Sequence, residues 1–325
     1  MTSQSPRVPK VDPGELARWC AEHLGSPPAS ELFRSGHLSA VIGLRLADDR
    51  EVVVKVRPDT PRMTACVEVQ RRLFESGYPC PEPLTGAALL GEGVATCELY
   101  VPGGAMLPSA GRAAWAFAEA FARLVTLAPS PAEVPTLDPP PSWVAWNHGH
   151  DGLWPQHDDP DVNLNEAGGH TWIDDAGRRA RDRLLRSGAS EAVIGHCDWL
   201  AGNVRWSGET LLVVHDWDSV VADSEAVLVG CAAALYSTVS AGKLATVEES
   251  ERFLDAYCDA RHREFSRDEL ERSWAAGVWT RAYDAKYQHA VGQPVLALTE
   301  IDARDRLRRA ATCMRPRRIL STGDN

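Results

Sequence analysis

The sequence predicts an α+β fold in two lobes, a small β-rich N-terminal lobe and a larger, mainly helical C-terminal lobe. Three observations carry this. Strand-like segments cluster before residue 101, a Pro102-Gly103-Gly104 break follows, and most of the later apolar periodicity is helical. The expected division is therefore 1–101 and 102–325. A chain of 325 residues, 44% apolar and 24% charged, is long enough for two lobes around a cleft.

The elements follow in order. Asp12-Pro13-Gly14-Glu15 opens a first helix, with Asp12 as cap, Pro13 in the first turn and Glu15 completing a capping box. It runs to Leu24 and stops at Gly25 and Pro27-Pro28. Strands are expected at 32–34, 41–46 and 51–56, then a helix at 64–76. Prolines 79, 81 and 83 enforce an extended connector, and 84–90 with 94–101 form a hairpin turned at Gly91-Glu92-Gly93. A strongly apolar helix occupies 112–127. Residues 129–170, rich in Pro, Asp, His and Trp, have little periodicity, and a loop of that length is usually functional or disordered. Helix returns at 172–186 and dominates from 226 onward.

Composition narrows the function classes. A formal charge of −11 argues against a general nucleic-acid binder and favours a cationic ligand. No apolar run has the roughly 20 residues of a membrane helix. Residues 1–10 lack the apolar core of a signal peptide. Eight cysteines include no Cys-x-x-Cys pair, and some, such as Cys231, sit in apolar runs; buried free thiols in the cytoplasm are expected.

The most informative stretch is Gly195-His196-Cys197-Asp198-Trp199-Leu200-Ala201-Gly202-Asn203. Its His-x-Asp-x-x-x-x-Asn spacing suits phosphoryl transfer, which needs a carboxylate near the attacking hydroxyl and oxygen ligands for magnesium. Asp198 fits the first role and Asn203 part of the second. Residues 204–206 and 211–214 read as a hairpin around Ser207-Gly208-Glu209-Thr210, which returns Asp216 to the side of Asn203.

Together, His196-Cys197-Asp198, Asn203 and Asp216-Trp217-Asp218 make the chain resemble the aminoglycoside phosphotransferase and choline kinase superfamily over about 32–230. The resemblance implies a two-lobed protein-kinase-like fold, Asp198 as catalytic base, and Asn203 and Asp216 on Mg²⁺. Two departures stand out: Trp199 replaces a residue that is often smaller, and Val227 stands where the family often has Asp.

On the nucleotide side, strand alternation puts Val53 and Lys55 on one face, with Val53 covering the base and Lys55 reaching the phosphates. Glu68, rather than Glu75, is the expected ion-pair partner of Lys55. Ser35, Gly36 and Ser39 supply the small residues of a phosphate-covering loop. Glu98 and Tyr100, in the interlobe linker, are expected to offer backbone groups to the base; ATP and GTP are both compatible. No Gly-x-x-x-x-Gly-Lys-Ser/Thr occurs, so a P-loop enzyme is unsupported.

The resemblance points to an O-phosphotransferase acting on a hydroxylated small molecule, an aminoglycoside or related antibiotic being one class. A metabolic kinase for choline, homoserine or a sugar shares the same motifs. A non-catalytic pseudokinase would have lost Lys55, Asp198, Asn203 or Asp216, and all are present. Trp143, Trp146, Trp154 and Trp199, the 274–286 helix, and Asp151, Asp158, Asp159 and Asp161 are candidate walls for the acceptor, although tryptophans packing the insertion onto the lobe and solvated acids are the favoured reading of each residue taken singly.

Overall fold

A computed structural model describes residues 9–36, 38–107, 112–186, 190–238 and 244–312, so His37 and Cys313 lie outside the described residues. Helix α1 (Pro13–Leu24) starts where the Asp12 carboxylate accepts from the Glu15 N–H at 2.9 Å, and ends at Gly25, whose φ of 73° suits glycine. It is followed by β1 (Pro28–Ser35), β2 (Ala40–Leu46) and β3 (Glu51–Arg57), then α2 (Met63–Glu75), β4 (Ala88–Leu90) and β5 (Gly93–Leu99). The five strands form one antiparallel sheet in the order β1-β2-β3-β5-β4.

Alternation divides this sheet into two chemically different faces. Ile42, Leu44, Val52, Val54, Val56, Ala95 and Cys97 pack against Leu16, Trp19, Cys20 and Leu24 of α1 in a small closed core. The opposite face carries Val41, Gly43, Val53, Lys55, Thr96 and Glu98, aligned in register across β2, β3 and β5. The apolar residues of α2 do not join the small core. Ala65, Cys66, Val69 and Leu73, with Tyr78 and Cys80, belong to the larger core of the helical part.

That helical part comprises α3 (Ala113–Leu127), α4 (Thr171–Arg186), α5 (Glu225–Leu235), α6 (Val247–Ala260), α7 (Arg267–Ala290) and α8 (Glu300–Thr312). Two short antiparallel pairs are set into it, β6 (Ala192–His196) with β9 (Val220–Ser224), and β7 (Val204–Ser207) with β8 (Thr210–Val214). Every residue of α5 is buried. Its Gly230 lies so close to α7 that a Cβ would sit 2.0 Å from the Ser273 carbonyl oxygen.

Three local expectations differ from the structure. The first strand spans eight residues rather than three; it is a mostly exposed edge, so no apolar alternation marks it. The strand expected at 84–90 shrinks to three residues. Residues 129–170 are pinned rather than loose. Arg181 of α4 donates to the carbonyls of Trp146, His148 and Gly152 at 2.8, 3.1 and 3.3 Å. Lys286 of α7 donates to the Ala167 carbonyl at 2.7 Å and to Asp174 at 2.8 Å. Trp154 is buried against Trp279, with ring centroids 5.1 Å apart. Among the described residues seven cysteines are free thiols, and no helix is long and apolar enough to cross a membrane.

Candidate active site

The loop after β6 is organised by a buried histidine. His196 Nε2–H donates to the His215 carbonyl at 3.0 Å, while Nδ1 accepts the Asp198 N–H at 3.2 Å, so these contacts select one neutral tautomer. Burial pushes its pKa down to about 4, which keeps the ring uncharged. His196 therefore ties the loop carrying Asp198 to the segment carrying Asp216.

Asn203 closes the same loop. Its Nδ2 donates to the Asp198 carbonyl at 3.0 Å and to Asp198 Oδ2 at 2.7 Å. With both amide hydrogens used, its Oδ1 is the group left to act as an acceptor. The β7–β8 hairpin returns the chain as its spacing predicts: the His215 N–H donates to the Asn203 carbonyl at 2.8 Å, putting Asn203 and Asp216 side by side. Asp216 adopts left-handed backbone angles, φ 69° and ψ 48°. Few non-glycine residues do so, and such residues concentrate at functional sites.

The two carboxylates are held at different proton affinities. Burial, then the charges of Asp216 and Asp284, push Asp198 up, against the Asn203 hydrogen bond. Burial would raise Asp216 as well, but Lys55 and Arg57 beside it hold it below the ordinary carboxylate range. Asp216 is thus the ionised member and Asp198 the more basic one. Asn203 Oδ1 and the Asp216 carboxylate form an oxygen donor pair that fits a hard cation such as magnesium. Among the described residues no group of three or more His, Cys, Asp or Glu is placed to hold a metal ion.

Lys55 reaches this pair from the sheet. Its Nζ lies 3.9 Å from Asp216 Oδ1 and 3.1 Å from Glu98 Oε1, and both Lys55 and Glu98 are buried. This corrects the expected partner. Glu68 is turned to Arg72, one helical turn on, with Nε 2.8 Å from Oε1. The linker expectations change too. Glu98 lies within β5 opposite Val53 and contributes its side chain, not a free backbone group. Tyr100 spends its N–H on the Glu51 carbonyl at 3.0 Å, which leaves only a carbonyl for a base.

The other residues expected on the nucleotide side lie on two neighbouring rows of the sheet and the turn after β1. One row across the sheet runs Ser35, Val41, Lys55 and Thr96, so the loop after β1 starts level with the lysine. Gly36 has φ 150°, and a Cβ there would lie 1.8 Å from the Ser39 carbonyl oxygen; the turn joining Ser35, Gly36 and Ser39 needs glycine. The next row runs Phe33, Gly43, Val53 and Glu98. Phe33 lies directly over Gly43, where any Cβ would strike its ring, and packs on Tyr100 at 5.6 Å. The sequence reading missed Phe33, and a glycine inside an otherwise β-branched strand was its available signal. It also missed Gln70, which donates to Glu98, and the Arg57–Asp218 ion pair.

The acceptor walls also sort differently. Trp199 is fully buried, 5.0 Å from Phe121 and 5.9 Å from His196, and belongs to the core beneath the loop. Trp154 and Trp274 are core residues as well. Asp159 is buried and accepts the Asp161 N–H at 3.0 Å in a local turn. What faces open space is a cavity of about 820 Å³ between the 129–170 segment and β9, lined in part by Trp146, His148, His150, His157, Asp158 and Asp223. Burial pushes both Asp158 and Asp223 up, and Trp146 Nε1–H donates to Asp223 at 3.0 Å.

A strand-built lobe with a buried lysine, above a helical part whose loop joins His196, Asp198 and Asn203 to Asp216, defines a kinase-like phosphotransferase fold. The phosphotransferase enzyme family matches this sequence over residues 30–272, and the chain belongs to that family. No curated protein matches the chain significantly. Solved structures similar to it include the amicoumacin kinase hAmiN in complex with AMP-PNP, Ca²⁺ and Ami, with TM-score 0.59 and 12% identity over 88% of this chain and 87% of that one. A thermostable mutant of aminoglycoside phosphotransferase APH(4)-Ia superposes with TM-score 0.58 and 13% identity, covering 91% and 99%. An ethanolamine kinase from Plasmodium vivax gives TM-score 0.53 and 12% identity, covering 88% and 82%. At identities this low the superpositions show a shared fold alone.

Proposed function

We propose that this enzyme transfers the γ-phosphate of ATP or GTP to a hydroxyl of a small molecule. The observation that carries the reading is the juxtaposition of Asp198, Asn203 and Asp216 beneath Lys55. Asp198 Oδ2 is held by Asn203, so Oδ1 orients the acceptor hydroxyl and takes its proton. Lys55 binds phosphate oxygens, Val53 and Phe33 cover the base, and the 35–39 turn lies along the phosphates. Asn203 Oδ1 and Asp216 hold the magnesium ion, which when bound neutralises charge on the phosphates. His196 keeps the loop in register and moves no proton.

The proposed acceptor is cationic and hydroxylated, bound between the lobes under 129–170. The cavity beneath that segment, which Asp198 does not itself line, offers the indole of Trp146 and the carboxyl group of Asp158, and the chain's charge of −11 adds a weak general attraction. The division of labour proposed for the chain is 1–101 for nucleotide and 102–325 for catalysis and acceptor binding, with a cytoplasmic location.

The test is a panel of hydroxylated amines, sugars and antibiotics, read by mass spectrometry for a phosphate adduct and by ADP or GDP release. For an active acceptor, the Michaelis constant should rise with ionic strength, and Asp158→Asn should raise it with little change in maximal rate. Phosphorylation of an anionic acceptor, or a Michaelis constant indifferent to salt and to Asp158, contradicts the cationic pocket. An enzyme that binds nucleotide but phosphorylates no hydroxyl contradicts the reaction itself.

A further inference from the structure

Lys55 stands between two carboxylates that have different jobs. Asp216, 3.9 Å away, is the proposed metal ligand and is partly open to the cleft. Glu98, 3.1 Å away, is buried at 6% exposure. Its second oxygen, Oε2, accepts from Gln70 Nε2 at 3.0 Å, and the same amide donates to the Pro81 carbonyl at 2.9 Å. A continuous path therefore runs from the Pro81 backbone through Gln70 and Glu98 to the ammonium group. Every polar atom named on it is matched, and Lys55, Gln70 and Glu98 are all buried residues.

The geometry points to Glu98 as the residue that positions Lys55, with Gln70 fixing Glu98. This inference deepens the phosphotransferase reading and rests on it. The lysine is aligned from its own sheet, because the β3–β5 register sets Glu98 opposite Val53 and thus diagonal to Lys55. The acids of α2 take no part: Glu68 is engaged with Arg72 and Glu75 is exposed at the helix end. What α2 contributes is the neutral amide of Gln70, held firmly because the helix is packed into the larger core.

Glu98 also has a protective effect on the metal site. Among the described residues, Glu98 and Asp216 are the only carboxylates within 4 Å of Lys55 Nζ. Holding the ammonium group on Glu98 keeps it from closing onto Asp216, whose oxygens magnesium needs. Without the Glu98 charge, Lys55 moves to Asp216 and competes with the cation there.

The experiment is calorimetric titration of the full chain with AMP-PNP at a series of magnesium concentrations, which requires no acceptor. Glu98→Gln keeps the side-chain volume and removes the charge. It should raise the half-saturating magnesium concentration and weaken nucleotide binding by about 10- to 100-fold, the worth of a charge-assisted hydrogen bond. Glu68→Gln should stay within about twofold of the wild type, as exposed pairs do. Gln70→Met leaves the charge in place and removes only its orientation; it should shift the magnesium requirement the same way by about two- to tenfold. Thermal melting is followed in parallel, and if Glu98→Gln does not fold, Gln70→Met decides. An unchanged magnesium requirement in the folded variant, or a greater loss in Glu68→Gln than in Glu98→Gln, overturns the assignment while wild-type binding leaves the phosphotransferase reading standing. Wild-type protein that binds no magnesium nucleotide overturns both.

Discussion

Replacing Asp198 with Asn changes one carboxylate oxygen to an NH₂ group and leaves the shape of the loop almost untouched. Asn203 Nδ2, now 2.7 Å from Asp198 Oδ2, still needs an acceptor, so the new amide must turn its oxygen toward Asn203. Its NH₂ group then occupies the position of Oδ1 and meets the substrate hydroxyl as a donor. The variant therefore loses the base and also presents the wrong polarity to the acceptor. General-base contributions of about 10²–10⁴-fold correspond to about 3–5 kcal/mol of transition-state stabilisation, and the upper half of that range is expected here. Nucleotide binding should be preserved or slightly improved, because a negative charge that pushes against Asp216 and the phosphates is removed. The assay pairs steady-state turnover on the identified acceptor with calorimetry for the magnesium nucleotide. Turnover within about threefold of wild type would refute the reasoning, as would an equal loss of turnover and of nucleotide affinity.

Other predictions concern the scaffold that holds this loop. Gly230→Ala places a methyl group 2.0 Å from the Ser273 carbonyl, so α5 and α7 must separate; a loss of about 2–3 kcal/mol in urea denaturation is expected, and an unchanged midpoint contradicts the packing. Glu225 is buried and accepts from Tyr257 at 2.7 Å and Arg261 at 3.1 Å while also pairing with Arg263; Glu225→Ala leaves the buried Tyr257 hydroxyl unpaired and should cost about 1–3 kcal/mol, checked by the same measurement. Asp255 has its pKa pushed up to about 7 by burial, then by Glu251 and Asp259. Because the folded value lies above the unfolded value of about 4, its contribution is full below pH 4 and is lost as pH rises through 7. Asp255→Asn should then raise the melting temperature at pH 8 and leave it nearly unchanged at pH 4; equal shifts at both pH values contradict this.

Much of the loop that carries Asp198 and Asn203 was legible because it is local. The interval from Asp198 to Asn203 is a single loop, and the hairpin that returns Asp216 is announced by two short apolar runs around Ser207-Gly208-Glu209-Thr210. The face shared by Val53 and Lys55 followed from strand alternation alone. The partner of Lys55 was not legible. Choosing Glu98 over Glu68 depends on the β3–β5 register and on the rotation of α2, and both are set by tertiary packing. Whether Trp199 packs in the core or lines the acceptor site was not legible for a related reason. Its neighbours Phe117 and Phe121 come from α3, some eighty residues earlier, and nothing near Trp199 in sequence marks it as core. Order in 129–170 was hidden because Arg181 and Lys286 impose it through carbonyls, which leave no pattern in side-chain chemistry.

Calorimetric titration of magnesium AMP-PNP into the wild-type chain and into Asp216→Ala tests the central claim most directly, that Asn203 and Asp216 hold a metal nucleotide beside Asp198. Magnesium sites on nucleotides use only one or two protein carboxylates, so removing the ionised one should be severe. The account predicts magnesium-dependent binding in the wild type and a loss of at least about 100-fold in Asp216→Ala, the scale of a charged hydrogen-bonding group, with the variant still folded. Equal affinity in the two proteins, or binding that does not depend on magnesium, would contradict it.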